Sequence, residues 1–391
     1  MNSKQVFIAF VILLSCGAGQ VPAGAAPWPP DLVSPAPSQH ASDLAEAIEK
    51  IRARHDQPGM AVASIRDGAV ADVIVIGNRT ARHDIAIERN DAFHIGSCTK
   101  ALTSTLIAVL IERGDLSWHT TVVDVFPEWK GVVDPAFERI TVEQLLTHQA
   151  GVMPFTQPGE TEEDLITHVD GTAREQRVEF ARRVLSQKPI AQPGHGFAYS
   201  NAGYAVVTAI AERVTGSDWS ELTRELIFKP LRMEHSSFGL PGTRGETEPS
   251  APWGHFPGPN GYAAIPPAMP AMLPPVLAPA GDIECSVADL AAFVAMHARG
   301  LAEESEPDDV LSAASIRKLH TAARNDYAMG WFDYQLGAYK VTAHNGSAGT
   351  FFAFIAIDRE THHAVVVLSN AGDGNQACLE AAVAVFDALN D

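Results

Sequence analysis

Leu44, Ile48 and Ile51 recur at three- and four-residue intervals behind Ser42-Asp43, the pattern of an amphipathic helix with a capped start. Two apolar runs follow, Met60–Ile65 and Val70–Ile76, joined around Asp67-Gly68. A D-G pair between such runs predicts a β-hairpin. The middle of the chain reads as helical: Ser97–Arg113 stopping at Gly114, Thr141–His148, Tyr204–Val214 and Trp219–Phe228. Segment 257–279 carries eight prolines in 23 residues, which predicts no regular structure there. Its Met269, Met272 and Leu273 predict a loop packed on the body or rimming a pocket. Beyond it Ser286–Arg299 reads as a helix. Tyr327–Tyr334, Tyr339–His344, Phe351–Ile357 and Ala364–Ser369 read as consecutive strands, and Cys378–Leu389 as a closing helix. Strands at both ends with helices between predict an α+β fold. One antiparallel sheet is built from the N- and C-terminal segments and flanked by the terminal helices, with a mostly helical insertion. No internal repeat is visible.

The hydrophobic fraction of 46% in 391 residues supports a large core and excludes a globally disordered chain. With 28 Lys and Arg against 47 Asp and Glu, the net charge of −19 argues against nucleic acid or an anionic membrane surface as a partner. The N-terminus changes the picture. Lys4 precedes the apolar run Val6–Leu14, too short to span a bilayer, and small residues follow up to Ala23-Gly-Ala25-Ala26. This predicts an export signal over residues 1–25, cleaved after Ala25. Leu13-Leu-Ser-Cys16 is a rival lipoprotein box, and lipidation at Cys16 would be the only membrane anchor. Residues 26–40 read as a Pro-rich tether and 41–391 as a single domain, with an α/β part at about 41–96 and 280–391 and a helical part at about 97–279. The mature chain then has three cysteines, Cys98, Cys285 and Cys378, either all free or with Cys285 and Cys378 bridged. No CxxC pair points to zinc, and the reading calls for no cofactor and no metal.

Three short patterns carry chemistry. Ser97-Cys-Thr-Lys100 opens a helix after Phe93-His-Ile-Gly96, which puts Ser97 and Lys100 on one face, one turn apart. A lysine buried there would have a lowered pKa and could accept the serine proton. Tyr199-Ser-Asn201 follows a turn-rich approach. Tyr199 near a lysine can shuttle a proton, and Asn201 can donate to a substrate carbonyl. His344-Asn-Gly346 ends a strand and starts a turn, where a histidine can meet an anionic substrate group and Gly346 lets a substrate backbone approach. Each pattern recurs by chance: Ser315-Ile-Arg-Lys318 also fits the first and His94-Ile-Gly96 the third. Of the other candidates, His148 reads as a structural histidine and Cys98 as a buried thiol. His362-His363 face opposite ways and do not suit a metal. Gln157 is a weak candidate for a substrate amide contact.

The order SxxK, YxN, HxG makes the chain resemble the serine β-lactamase and penicillin-binding protein superfamily. It is closest to the branch with class C β-lactamases, D,D-peptidases, D-aminopeptidases and related esterases. The stretches Leu145-Leu-Thr-His148-Gln-Ala-Gly151, Pro193–Gly203, Ala280-Gly-Asp-Ile-Glu-Cys-Ser286 and His344-Asn-Gly-Ser-Ala-Gly349 support it, over residues 41–389. The resemblance implies a β-lactamase/transpeptidase-like fold and a small amide or ester as the substrate. It implies Ser97 as acylated nucleophile, Lys100 and Tyr199 as shared acid–base groups, and Asn201 holding Lys100 and substrate. The N–H groups of Ser97 and Ser347 would form the oxyanion hole. His344 stands where true β-lactamases carry a lysine, which favours peptidase- or esterase-like activity over β-lactam hydrolysis. A part-time positive charge on His344 is expected to read a substrate carboxylate between pH 5.5 and 8. The alternatives are a weak class C-like β-lactamase and a non-catalytic penicillin-recognising binder or sensor.

Overall fold

The computed structural model describes residues 39–156, 170–259, 261–267, 273–304 and 309–390. The export segment with Cys16, and Gln157, Met269 and Met272, lie outside the described residues. The strands are β1 (Gly59–Arg66), β2 (Ala69–Thr80), β3 (His83–Ala86), β4 (Ala92–His94), β5 (Ser236–Phe238), β6 (Gly254–Gly258), β7 (Gly261–Ile265), β8 (Ile283–Ser286), β9 (Phe332–Leu336), β10 (Tyr339–Ser347), β11 (Phe352–Asp358) and β12 (Ala364–Ser369).

The main sheet is antiparallel and runs β3-β2-β1-β12-β11-β10-β9, so the two chain ends interleave at its centre. Asp67 and Gly68, both at positive φ, form the two-residue turn between β1 and β2. β1, β11 and β12 are buried on both faces, which explains their near-continuous apolar runs. The N-terminal helix Gln39–Arg54 and the C-terminal helix Asn375–Asn390 pack together over one face and enclose one core. On the other face Val287–Leu301, capped by Ser286, joins the larger core of the helical region. No helix among the described residues is long and apolar enough to cross a membrane.

Several elements depart from the sequence reading. The first helix starts at Gln39, ahead of the expected Ser42 cap. The proline segment is not wholly irregular: β6 and β7 form a two-stranded ribbon, where Pro257 fits because an outer strand edge needs no N–H. Pro275–Ala280 then forms 3₁₀ turns. A helix at Ala173–Leu185, capped by Thr172 and Glu175, was not anticipated. Trp219–Phe228 divides into an α-turn and a π-turn. The strand expected from Tyr327 begins only at Phe332, because Gly330 at φ 80° turns the chain where its α-carbon abuts the backbone of Ala101. His344 does not end its strand; β10 continues to Ser347, paired with Phe352 of β11.

Candidate active site

The turn bearing Ser97 is held from three sides. The small sheet β4-β8-β5 precedes it, and Ile95 N–H donates to Ile283 O at 3.0 Å. The first turn, Gly96–Cys98, is 3₁₀, and the α-helix runs Thr99–Glu112. The buried Cys98 thiol donates to His344 O at 3.6 Å, pinning the turn to β10. Gly96 and Gly346 let the two backbones meet. A Cβ on Gly96 would sit 2.5 Å from Ser347 N, and one on Gly346 would sit 2.7 Å from Ser97 N. The two N–H groups implied as an oxyanion hole therefore lie on abutting chain segments.

Lys100 is fully buried. Its Nζ donates to Asn201 Oδ1 at 2.7 Å and to Ala280 O at 2.8 Å, and lies 3.1 Å from Ser97 Oγ. Two of these partners can only accept. A neutral amine spends both hydrogens on them and turns its lone pair toward Ser97. Burial pushes the ammonium pKa well below its ordinary value, with the neighbouring Cys98 thiol opposing weakly. Asn201 is fixed in turn: its Nδ2 donates to Phe155 O at 2.8 Å, and Ser200 caps its helix, Asn201–Thr215, through Gly203 N–H. Ala280 is presented by the proline segment, whose preceding carbonyl, Pro279 O, accepts from Thr103 at 2.7 Å. The buried Arg177, paired with Glu212, also donates to Val276 O at 3.3 Å.

Tyr199 stands over this cluster, with Lys100 Nζ 4.7 Å from its ring centre and its hydroxyl facing Ser97. Burial raises the phenol pKa, against the smaller opposing pull of the Ser97 hydroxyl. A cavity of about 430 Å³ opens here, lined by Ser97, Tyr199, Tyr327, His344, Asn345 and Ser347, with Phe332 and Phe352. His148 takes Ser200 N–H on Nδ1 at 3.1 Å and packs among the rings of Tyr199, Tyr204 and Tyr327, a structural place as expected. Among the described residues its Nε2 has no hydrogen-bond partner.

The setting of His344 differs from the half-charged one expected. His344 is 2% exposed, and burial above all lowers its pKa to about 3. Its Nδ1–H donates to Asn345 O at 2.6 Å, which leaves Nε2 as an acceptor 3.4 Å from the Tyr327 hydroxyl. Its burial and its bond to Asn345 O argue against the titrating charge expected there between pH 5.5 and 8.

Ser97, Lys100, Tyr199, Asn201, His344, Gly346 and Ser347 thus converge, though they come from distant parts of the chain. Ser315 and Lys318 stay apart: Lys318 Nζ pairs with Glu143 at 2.6 Å. Cys98, Cys285 and Cys378 are buried and free, with no Cys285–Cys378 bridge. The sequence reading missed Tyr327, Phe332, Phe352 and the Ala280 carbonyl. Only the aromatic density around Tyr327–Tyr334 hinted at the first two, and a backbone acceptor leaves no mark in a sequence.

An antiparallel sheet sharing one core with the central helices, and a buried lysine set among a serine, an asparagine and a tyrosine, define the class. Residues 44–390 match the family model described as Beta-lactamase, and the chain belongs to that family of hydrolases. It is 28% identical over 356 residues to Penicillin-binding protein 4 of Amycolatopsis lactamdurans, covering 84% of each chain. Among solved structures, SurE superposes with a TM-score of 0.72 at 23% identity, over 89% of this chain and 76% of that one. The D-amino acid amidase of Ochrobactrum anthropi SV3, complexed with L-phenylalanine amide, superposes with a TM-score of 0.67 at 20% identity, over 88% and 99%.

Proposed function

We propose that this protein is an exported serine hydrolase that forms an acyl-enzyme on a small amide or ester, with peptidase- or esterase-like specificity. The observation that carries the reading is the bonding of Lys100: two obligate acceptors and Ser97. As Ser97 Oγ bonds to the substrate carbonyl carbon, its proton passes to the Lys100 lone pair. The carbonyl oxygen becomes an oxyanion held by the N–H groups of Ser97 and Ser347. As the tetrahedral centre collapses, the leaving nitrogen or oxygen departs with a proton delivered through the Tyr199 hydroxyl. Water then enters, gives up its proton by the same route, and releases the acid and Ser97. The names of two similar proteins, a penicillin-binding protein and a D-amino acid amidase, support an acyl substrate of amide type. The pocket wall of neutral His344 and aromatic rings supports a substrate that does not depend on a carboxylate.

Labelling with a fluorophosphonate and with a fluorescent penicillin tests the reading. Ser97→Ala should abolish labelling and turnover, while Ser315→Ala should leave both nearly intact. Labelling of the Ser97→Ala protein, or none of the wild type, would sink it. A screen of nitrocefin, p-nitrophenyl esters and D-amino acid amides ranks the substrates. The N-terminus and mass of the secreted protein test export: cleavage after Ala25 or a lipid on Cys16 supports it, and an intact Met1 refutes it.

A further inference from the structure

His94 lies outside the cluster just described, three residues before Ser97, yet its buried ring is turned toward that turn. Its Nδ1 accepts the N–H of Gly96 at 3.1 Å. That contact is the imidazole version of an Asx-turn, in which a side-chain acceptor takes the N–H two residues on and bends the chain there. Gly96 needs that bend: it sits at φ 50°, and no side-chain cap holds the start of the following helix. The N–H groups of Ser97 and Cys98 come next, and Cys98 N–H returns to Ile95 O at 3.2 Å. The ring is braced from outside. Phe351 packs against it with centroids 6.5 Å apart, and Asp282 Oδ1 lies 3.6 Å from Nε2. That spacing is long for a hydrogen bond, but a carboxylate there favours the proton on Nε2. The Nδ1 lone pair is then free for Gly96. Asp282 is only two residues from Ala280, whose carbonyl takes the Lys100 amine. The His94–Asp282 contact therefore couples the Ser97 turn to the segment that orients Lys100.

We infer that His94 is a positioning residue for the nucleophile, its Nδ1 holding Gly96 N–H so that Ser97 Oγ faces the reacting carbonyl carbon while Ser97 N–H faces the oxygen bonded to it. The inference rests on Ser97 being the nucleophile. Two substitutions separate the acceptor from the ring. His94→Asn keeps a side-chain acceptor for the N–H two residues on and loses the packing against Phe351. His94→Phe keeps a ring there and loses the acceptor. A misplaced turn should act on the chemical step more than on binding, because small displacements of a nucleophile cost up to about 10²-fold in rate.

The experiment measures kcat and KM on a p-nitrophenyl ester, the rate constant for fluorophosphonate labelling of Ser97, and Tm, with Ser97→Ala as control. His94→Phe should lower kcat and the labelling rate by about 10–10²-fold with KM within threefold. His94→Asn should recover to within about fivefold of wild type in both rates, even if its Tm is the lower of the two. The reverse order in kcat, or equal losses in the two variants, would show that only packing matters and overturn the inference. So would a folded His94→Phe with wild-type rates. If His94→Phe does not fold, a folded His94→Asn that loses more than tenfold in kcat overturns it, and one that stays within fivefold supports it. Wild type that is not labelled at Ser97 defeats the nucleophile assignment instead, a result distinct from any order among the His94 variants.

Discussion

Adding one methyl group at Gly346 should disable the site without touching any reactive side chain. A Cβ there would lie 1.9 Å from Ile95 O, 2.7 Å from Ser97 N and 2.9 Å from Cys98 N. All three atoms are backbone, so no rotamer change relieves the contact. Comfortable non-bonded separations are roughly 3.5 Å, so strand and turn must part by more than about 1 Å. β10 is held in register by β11, Gly346 opposite Ala353, and the turn by Ile283 and His94, so both sides resist. Parting them separates Ser347 N–H from Ser97 N–H. Loss of one oxyanion donor costs about 10²–10³ in kcat, or ~2.7–4 kcal/mol, and the overpacking should cost about 1–3 kcal/mol of stability. The assay is kcat and KM on a p-nitrophenyl ester beside a thermal melt, with Gly203→Ala as control. A Cβ on Gly203 meets nothing closer than Leu145 O at 3.5 Å, inside a helix where alanine is favoured by roughly 0.5–1 kcal/mol. A folded Gly346→Ala enzyme with kcat within threefold of wild type would refute the reasoning.

Lys100→Ala and Tyr199→Phe should each slow acylation by about 10²–10⁴. The double variant should lose less than the product, because both serve one proton transfer; full multiplication in stopped-flow acylation would contradict that. Stability should fall on acidification from about pH 6.5 toward pH 3, because His297 and His344 are buried with pKa values lowered to about 3. In that window the unfolded chain binds protons that the folded chain refuses. Each histidine then costs on the order of 2 kcal/mol at pH 5, and equal urea midpoints at pH 5 and pH 8 would refute it. The ratio of kcat/KM for matched esters with and without a carboxylate should stay flat from pH 5.5 to 8 in the wild type. A ratio that falls with a midpoint near 6.5 would show that His344 titrates after all.

The sheet was legible because its strands are long, apolar and bounded by turn residues. The Asp67-Gly68 turn and the run Ala364–Ser369 state their structure locally. The site was legible for a different reason, that Ser97 and Tyr199 each sit at an element boundary and His344, inside β10, follows them in a recognisable order. What escaped the reading depends on neighbours distant in sequence. The charge of His344 is decided by burial against residues it is not adjacent to in the chain, and the bend at Gly330 by the backbone of Ala101. The ribbon at Gly254–Ile265 was hidden by its prolines, which a central strand excludes but an outer edge accepts.

The interleaving of the chain ends governs when the molecule can exist at all. Ser369 Oγ donates to Gln57 Oε1 across 312 residues of sequence, and β12 fills the slot between β1 and β11. Closing so long a loop costs about 5 kcal/mol of chain entropy before any contact repays it. A ribosome delivers β1 and β2 long before β12, so until β12 emerges the edge of β1 that it will cover has no partner and invites mispairing. A stop codon anywhere before residue 364 should leave not a shortened enzyme but a chain with an open sheet, a target for chaperones and proteases.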